Sequence, residues 1–240
     1  MARKPRPPDW ETLLAHAAIL QTEVPGAVLV GGTAAALHAG HRISFDHDHV
    51  IEGLARNYDA AIAALESIVG WRAARRVRGK LVLGAIGGID AGLRNQRRSA
   101  PLETTTVRLK GGGRLRIPTV AEMLRIKAFL VVERNATRDY LDVAALAHHL
   151  GLHESARALA PMSDLYAQFA GEGGDMLVSL AVKLANPDPY DLTEVDLSEY
   201  KGIVAPWNHW HAVQAQCRAL AVALLKASPP LPSPGPGKRA

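Results

Sequence analysis

Two short motifs near the N-terminus carry residue types that bind phosphate and divalent cations. The first is Gly31-Gly32-Thr33, which follows the apolar stretch 27–30 and precedes three alanines. The second is Asp46-His47-Asp48, in which one residue separates two carboxylates. A glycine-rich helix start offers free backbone N–H groups to an anion, and paired carboxylates bind Mg²⁺. Together the motifs predict phosphoryl or nucleotidyl transfer.

The aspartate pair depends on the element that carries it. Residues 41–51 have the pattern of a strand, and residues two apart on a strand point to the same face. Asp46 and Asp48 are therefore predicted to hold metal ions about 3.5–4 Å apart, the spacing of two-metal sites. The alternative is a pair of surface aspartates on an edge strand.

A third carboxylate from a neighbouring strand often completes such a site. Asp90 lies on a predicted strand, 89–94, and is the only acid between Glu66 and Glu103. We therefore predict Asp90 as the third metal ligand. It could equally be a turn aspartate that follows Gly87-Gly88.

The glycine motif is the predicted triphosphate site. Gly31 and Gly32 would contribute backbone N–H groups, and Thr33 would add its hydroxyl. The alternative for Thr33 is a helix N-cap, and both roles are compatible.

Lys127 interrupts an apolar helical stripe. The stripe follows the i, i+3, i+4, i+7 rule and comprises Val120, Met123, Leu124, Lys127, Leu130 and Val131. A buried ammonium needs an anionic partner, and a nucleotide phosphate is the predicted one. The alternative is a lysine at the edge of the core that extends its amine into water.

A cluster of charges follows on the next predicted helix. Arg134 precedes this helix, and Arg138, Asp139 and Asp142 lie on it. Asp139 and Asp142 are three residues apart, and Arg138 and Asp142 are four apart. Such spacings bring side chains together on one helix face. Without further information, the cluster is equally compatible with surface ion pairs.

Taken in order, these motifs resemble the AbiEii-type nucleotidyltransferases. The resemblance is carried by Gly31-Gly32-Thr33, the stretch 40–44, Asp46-x-Asp48, Lys127 and the cluster 134–142, and it covers about residues 25–150. That family comprises the toxins of type IV toxin–antitoxin systems and mycobacterial relatives, within the DNA polymerase β-like superfamily. The chain departs from the family at His47, where an apolar residue is usual.

The resemblance implies an activity, partners and roles for residues. It implies a Mg²⁺- or Mn²⁺-dependent enzyme that moves an NMP from an NTP to an RNA hydroxyl, such as a tRNA 3′ end, and that an antitoxin opposes. The implied catalytic residues are Asp46, Asp48, Lys127 and Asp139. The implied nucleotide-binding residues are Gly31, Gly32, Thr33, Lys127, Arg134, Arg138 and Asp142, and the implied metal ligands are Asp46, Asp48 and Asp90.

Two other functions are compatible with the sequence. His47 within the motif admits a nucleotide- or RNA-binding module that has lost catalysis. The histidines around the aspartates admit a zinc hydrolase, and they are His38, His41, His47 and His49. However, His47 and His49 alternate with the aspartates and should face the opposite way, and His-Glu-x-x-His is absent.

The fold class predicted from these patterns is α+β, with an α/β half followed by an all-helical half, and the resemblance implies that the mixed sheet is polymerase β-like. Residues 1–118 form the predicted α/β domain, 119–227 the helical domain and 228–240 a disordered proline-rich tail. The predicted N-terminal elements are helices 10–22, 34–39 and 58–69, strands 27–30, 41–51, 71–78, 81–86 and 89–94, and a hairpin of 104–109 and 114–117. The predicted C-terminal helices are 119–134, 137–151, 153–160, 163–170, 175–185 and 207–226.

Composition adds weaker expectations. The net charge is +5 and the pI about 9.5, which suits a nucleic-acid or nucleotide partner. Basic residues concentrate in segments 72–80 and 94–98, either as an RNA-contacting stripe or as a solvated strand face. A single cysteine, Cys217, excludes an internal disulfide and indicates a reducing compartment. Residues 1–8 lack the apolar core of a signal peptide, so we expect a cytoplasmic protein without membrane contact.

Overall fold

The computed structural model of the chain describes residues 9–98, 100–169 and 175–227. Helices and strands alternate in the first half and helices follow, so the predicted mixed α/β class is confirmed. The elements up to residue 95 are α1 (Trp10–Glu23), β1 (Val28–Leu29), α2 (Gly31–Ala39), β2 (His47–Ile51), α3 (Tyr58–Ser67), β3 (Trp71–Val77), β4 (Leu81–Ile86) and β5 (Ile89–Asn95).

A hairpin and a set of helices complete the described chain. The hairpin strands are β6 (Thr104–Arg108) and β7 (Arg114–Pro118), which pair antiparallel. The helices are α4 (Val120–Arg134), α5 (Thr137–Leu150), α6 (Leu152–Leu159), α7 (Met162–Leu165), α8 (Met176–Ala185) and α9 (Trp210–Ala227), with short 3₁₀ turns at Ala167–Phe169 and Leu197–Glu199.

Five strands form one mixed sheet in the order β1-β2-β5-β4-β3. Strands β2 and β5 are parallel, and the other neighbouring pairs are antiparallel. Asp48 of β2 lies opposite Gly92 of β5. This register places the start of β2 beside the start of β5, where the predicted metal ligands lie.

The two faces of the sheet differ in burial. One face is covered by α1 and α3, whose apolar side chains join strand residues in a buried cluster that includes Leu20, Leu65, Val82 and Leu93. His47 and His49 of β2 are also fully buried on this face. Asp48 is half-buried on the other face, so the alternation of β2 separates the histidines from the aspartates as predicted.

A larger apolar cluster connects the two halves of the chain. It contains Leu13 of α1 and Leu29 of β1 together with Leu124, Leu141 and Leu220 of the later helices. Residues before and after position 118 therefore share one core. The division into separate domains at residue 118 stays a prediction, and the predicted disordered tail, 228–240, lies outside the described residues.

Several predicted elements need correction. The strand predicted at 41–51 begins only at His47, because residues 41–43 bond to a distant loop instead: Ile43 N–H donates to the carbonyl of Lys201, and Val204 N–H to that of His41. The helix predicted at 163–170 is replaced by the short α7 and a 3₁₀ turn, and its last residue lies outside the described ranges.

The helices begin and end in different ways. Thr119 caps α4 by accepting from the Glu122 N–H, and Gly40 ends α2 with a left-handed φ of 60°. Thr137 does not cap α5 through its own side chain, because its N–H and its hydroxyl both donate to Asp191. Among the helices in the described residues, none has the length and apolarity needed to cross a membrane.

Candidate active site

A cavity of about 680 Å³ opens where the predicted functional residues converge. Its walls come from the N-terminus of α2, the segment before β2, the starts of β2 and β5, the helices α4 and α5, and a loop near residue 200. The lining residues are Gly31, Gly32, Arg42, Ile43, Ser44, Phe45, Asp46, Asp48, Asp90, Lys127, Arg134, Arg138, Glu194, Val195, Asp196, Glu199, Tyr200 and Lys201.

The two aspartates of the motif meet in this cavity. Asp46 precedes β2 and Asp48 is its second residue, yet both line the same cavity. The Ser44 hydroxyl donates to Asp46 Oδ1 at 2.7 Å and fixes that carboxylate. The two aspartates therefore line one cavity, although only Asp48 belongs to the strand, and their role as metal ligands stays a prediction.

The electrostatics of the pair fit a divalent cation. Burial raises the pKa of Asp48; Arg94, whose Nε lies 3.7 Å from Oδ1, opposes this effect, and the neighbouring Asp46 adds to it. The net raised pKa means that burial leaves the negative charge of the Asp48 carboxylate incompletely stabilised. Hard oxygen donors with surplus negative charge are what Mg²⁺ binds.

Asp90 lies next to this pair. Ala91 of β5 pairs with His47 of β2, so Asp90 and Asp46 each come one residue before a paired position. Asp90 is exposed and lines the cavity. Nevertheless, in the described part of the chain no three His, Cys, Asp or Glu side chains converge closely enough to hold a metal ion. Its role as third ligand stays a prediction.

The N-terminus of α2 provides the predicted anion site. Gly31 starts the helix with a φ of 73°, a left-handed conformation that favours glycine. The N-cap position, Val30, makes no side-chain capping bond, and the first N–H groups of a helix have no intrahelical partner. Gly31 and Gly32 line the cavity, so these donors lie where an anion can reach them.

Thr33 does not share this position. Its side chain is buried, and its hydroxyl donates to the carbonyl of Asp46 instead of capping the helix or lining the cavity. The prediction that the Thr33 hydroxyl contacts a triphosphate is not supported by this placement. The contact ties α2 to the segment that carries the first aspartate.

Lys127 is buried at the back of the cavity, and its anionic partner is a carboxylate in place of the predicted nucleotide phosphate. Its Nζ lies 2.7 Å from Asp142 Oδ2 and 3.8 Å from Asp139 Oδ1, and its residue still lines the cavity. The partner is thus a carboxylate of α5. A bound phosphate would be a second one.

Asp139 and Asp142 do not line the cavity. Both are fully buried, and Asp139 pairs with Arg134 Nη2 at 3.0 Å. Direct contact of these aspartates with a nucleotide, which the sequence predicted, is therefore not supported. Arg138 is exposed and lines the cavity together with the partly exposed Arg134, so the two arginines are placed as predicted.

Within the described ranges, the histidines form no metal centre. His47 and His49 lie on the buried face of the sheet, with ring centroids 5.4 Å apart, and burial lowers the pKa of His47 to about 4 and that of His49 to about 3. His38 Nε2 instead lies 2.8 Å from the carbonyl of Pro118. In the described structure these histidines therefore do not converge on one zinc site, as the zinc hydrolase alternative required.

The opposite wall of the cavity was not predicted from the sequence. Glu194, Asp196 and Glu199 place carboxylates there, and the Tyr200 ring lies 5.8 Å from the Arg42 guanidinium carbon. This wall comes from a loop more than 160 residues after the glycine motif. Its composition contains no local signal that connects it with residues 31–48.

Comparisons with known proteins give partial similarities. No protein-family model matches the chain. The chain is 39% identical over 130 residues to the heme uptake protein MmpL11 of Mycobacterium tuberculosis, and 36% over 129 residues to the mycolic acid-containing lipids exporter MmpL11 of Mycolicibacterium smegmatis. Each match covers 54% of this chain but only 13% of the relative, so the chain spans a small part of those proteins.

Solved structures show a distant similarity over more of the chain. JHP933 from Helicobacter pylori has a TM-score of 0.49 and 18% identity, covering 90% of this chain and 91% of that one. ANT(2'')-Ia in complex with adenylyl-2''-tobramycin has a TM-score of 0.49 and 16% identity, and the match covers 65% of this chain and 98% of that one. A nucleotidyltransferase-like antigenic protein from Paracoccidioides brasiliensis has 0.46 and 17%, covering 71% and 91%. At these values the similarities assign no substrate to this chain.

Proposed function

We propose that the chain is a Mg²⁺-dependent nucleotidyltransferase that moves an NMP from an NTP to an acceptor hydroxyl. The observation that carries the proposal is the convergence of an aspartate pair, a free helix N-terminus and a buried lysine in one cavity. A phosphate-binding backbone beside carboxylates that need a cation is the minimal equipment for this chemistry.

The residues divide the work as follows. Gly31 and Gly32 bind phosphate oxygens through backbone N–H groups, and Lys127 and Arg138 add positive charge. The acceptor oxygen forms a bond to the α-phosphorus while the bond from that phosphorus to the bridging oxygen breaks, pyrophosphate leaves, and the hydroxyl proton passes to water. Mg²⁺ held by Asp46 and Asp48, with Asp90 as the proposed third ligand, would neutralise charge on the attacking and leaving oxygens; Mn²⁺ has the same ligand preference.

The open face of the sheet supports RNA as the acceptor. Arg75 of β3 lies opposite Leu83, which lies opposite Gly92, which in turn lies opposite Asp48. Directly opposed residues share a sheet face, so the exposed Arg75 lies on the same face as Asp48, about 14 Å away across three strand spacings. A polyanion on this face can reach the aspartates.

Most of the other basic residues in the two basic segments are already paired. Arg76 pairs with Glu66 and Arg78 with Asp59, both on the surface, while Arg97 pairs with Glu133. These arginines fit a solvated strand face better than an RNA stripe. We therefore place the acceptor on Arg72 and Arg75, which lie in the rows that lead to the cavity.

A tRNA 3′ end as the acceptor, and a toxin role opposed by an antitoxin, are the specific form of this proposal. They rest on the sequence resemblance at residues 31–48 and 127–142. The acidic loop at residues 194–199 limits how a polyanion can enter the cavity. It favours a single-stranded end over a duplex, because one terminal nucleotide meets less of the acidic wall.

The test is transfer of labelled NMP to total tRNA in the presence of Mg²⁺. Wild-type protein should label RNA, whereas Asp46→Ala should reduce transfer to background without loss of fold. Asp59→Ala is the matched control, because that aspartate is exposed and remote from the cavity. Absence of transfer with every NTP, or full transfer by Asp46→Ala, would overturn the proposal.

A nucleotide- or RNA-binding module without turnover is the second candidate. The observation that favours it is Arg94, a cation that already lies 3.7 Å from Asp48. This candidate predicts NTP binding with no transfer to any acceptor. Equilibrium binding measured beside the transfer assay separates the two functions.

A further inference from the structure

The Arg42 guanidinium occupies the space that a side chain at Gly32 would need. Arg42 follows α2 in sequence and folds back so that its guanidinium lies against the first turn of that helix. A Cβ atom built on Gly32 would lie 2.5 Å from Arg42 Nη2 and 2.8 Å from the Ser44 hydroxyl. The missing side chain of Gly32 therefore leaves room for the Arg42 guanidinium. It also leaves the backbone N–H groups accessible. Any larger residue would push the guanidinium away.

Asp142 fixes the position of the Arg42 guanidinium. Arg42 donates from Nε to Oδ1 at 2.8 Å and from Nη2 to Oδ2 at 3.1 Å, which is a two-pronged ion pair. His41 Nε2 donates to Oδ1 at 2.7 Å, and Lys127 Nζ lies 2.7 Å from Oδ2. Two carboxylate oxygens provide about four acceptor sites, so these four contacts use all of them.

The saturation of Asp142 decides its role. A carboxylate with no acceptor left cannot bind a metal ion or a nucleotide hydroxyl. Burial alone would raise its pKa, yet Arg42, Lys127 and His41 together hold the pKa well below the ordinary value. Asp142 is thus a permanent anion, and its influence on a ligand must pass through the cations that it orients.

Arg42 retains capacity for a ligand. Nη1 makes no hydrogen bond to a described residue and the residue lines the cavity. Burial works against the charge of Arg42, but Asp142 outweighs it and raises the pKa of the guanidinium. A fixed cation beside unpaired helix N–H groups is suited to phosphate oxygens.

We infer that Arg42 binds the terminal phosphates of the NTP and that Asp142 is the positioning residue that aims Arg42 and Lys127 at them. This inference rests on the proposed function and adds a residue to which the sequence assigned no role. It also gives Asp142 a role in place of the direct nucleotide contact that the sequence predicted. Discrimination between nucleotides by phosphate number is its direct consequence.

The experiment compares equilibrium binding of NTP, NMP and nucleoside to purified protein with Mg²⁺. Wild-type protein should prefer NTP over NMP. Arg42→Ala and Asp142→Asn should each weaken NTP binding by about 10- to 100-fold, the value of a hydrogen bond to a charged group, and leave nucleoside binding unchanged. Arg157→Ala is the control, since that arginine is exposed on α6 and pairs only with Glu154 in the described structure.

A double-variant cycle tests whether the two residues act together. If Asp142 works through Arg42, the double variant Arg42→Ala/Asp142→Asn should weaken NTP binding by less than the product of the two single effects. Gly32→Ala should copy Arg42→Ala by displacing the guanidinium. If Asp142→Asn does not fold, Arg42→Ala and Gly32→Ala still decide the inference.

The outcomes separate this inference from the proposed function. Transfer by wild-type protein together with an unchanged NTP preference in Arg42→Ala would overturn the inference and leave the transferase intact. Equal loss of NTP, NMP and nucleoside binding would also overturn it, because that result indicates a general structural defect. No NTP preference in a wild type that still transfers NMP would overturn the inference alone, whereas absence of both NTP preference and transfer would overturn both.

Discussion

Asp48 and Gly92 face each other across the parallel pair of strands β2 and β5, and the Asp48 carboxylate fills the space that a side chain at position 92 would need. A Cβ atom at Gly92 would overlap Asp48 Oδ1. The glycine is therefore part of the site, although it carries no functional group. It allows a partly buried carboxylate to lie flat on the sheet beside Asp46.

This relationship predicts the effect of Gly92→Ala. The added methyl group should move the Asp48 carboxylate by about 1 Å and reduce transfer by about 10²-fold, as small misplacements of reacting groups do. Nucleotide binding should change little, because Gly31, Gly32 and Arg42 are untouched. The measurement is the rate of NMP transfer beside the NTP dissociation constant.

Gly111→Ala is the matched control for that substitution. A Cβ at Gly111 meets no atom within 4 Å, so this variant should keep the wild-type rate. A Gly92→Ala protein with the wild-type rate would show that the position of Asp48 is unimportant for transfer.

Removal of each of the three proposed metal-ligand carboxylates should reduce NMP transfer to a different extent. Asp48→Asn and Asp46→Asn should abolish transfer at any Mg²⁺ concentration. Asp90→Asn should leave transfer at saturating Mg²⁺ but raise the concentration needed for half-maximal rate by about 10-fold, because one oxygen ligand of several is lost.

Titration of the rate with Mg²⁺ checks this order, with Asp164→Asn of α7 as control. An unchanged Mg²⁺ requirement in Asp90→Asn would remove Asp90 from the metal site and leave it as an exposed carboxylate at the start of β5.

Local sequence patterns predicted most of the fold but not all of the site. Strands β3, β4 and β5 and the hairpin were predicted to within two residues, because alternation and glycine turns are local properties. Residues 41–46 alternate in a similar way, yet they are not a strand. Their backbone bonds go to residues 201 and 204, and no local pattern records such a partner.

The same reason separates the correct site residues from the misplaced ones. Asp48 and Lys127 line the cavity because the periodicity of β2 and α4 fixes their direction, whereas Asp46 lies before β2 and its carboxylate is fixed by the Ser44 hydroxyl. The side chains of Asp139 and Asp142 were expected there too, but they pair with cations instead. Asp142 pairs with the buried Arg42 and Lys127, and Asp139 pairs with the partly exposed Arg134. Which cation reaches a carboxylate depends on tertiary packing.

Acid stability offers a test of the buried histidines. His47 is buried without a hydrogen-bond partner for either ring nitrogen among the described residues, and burial first, then His16, lowers its pKa to about 4. The unfolded chain binds a proton near pH 6.5 and the folded chain does not. Stability should therefore fall as the pH drops from about 6.5 to about 4, by about 3 kcal/mol from His47 alone.

Replacement by an apolar residue isolates this contribution. Asp48, whose pKa is raised, works in the opposite direction as the pH falls, so the comparison between variants matters more than the wild-type curve. His47→Leu should flatten the decline in the free energy of unfolding measured by urea denaturation between about pH 7 and pH 4.5. His211→Leu, at an exposed position of α9, should leave the curve unchanged. Parallel curves for His47→Leu and wild type would contradict the expectation.

The Lys127→Met variant tests whether the buried Asp142 carboxylate depends on Lys127 alone or is also stabilised by its other donors. Removal of one charged hydrogen bond should lower the free energy of unfolding by about 1.5–3 kcal/mol, because Asp142 keeps Arg42 and His41 as donors. A stranded buried carboxylate would instead cost about 3–5 kcal/mol. Urea denaturation distinguishes the two ranges, with Lys110→Met as control, since that lysine is exposed beside Glu11. A loss in the higher range would mean that Lys127 alone neutralises Asp142, and that Arg42 is free to leave it when a nucleotide binds.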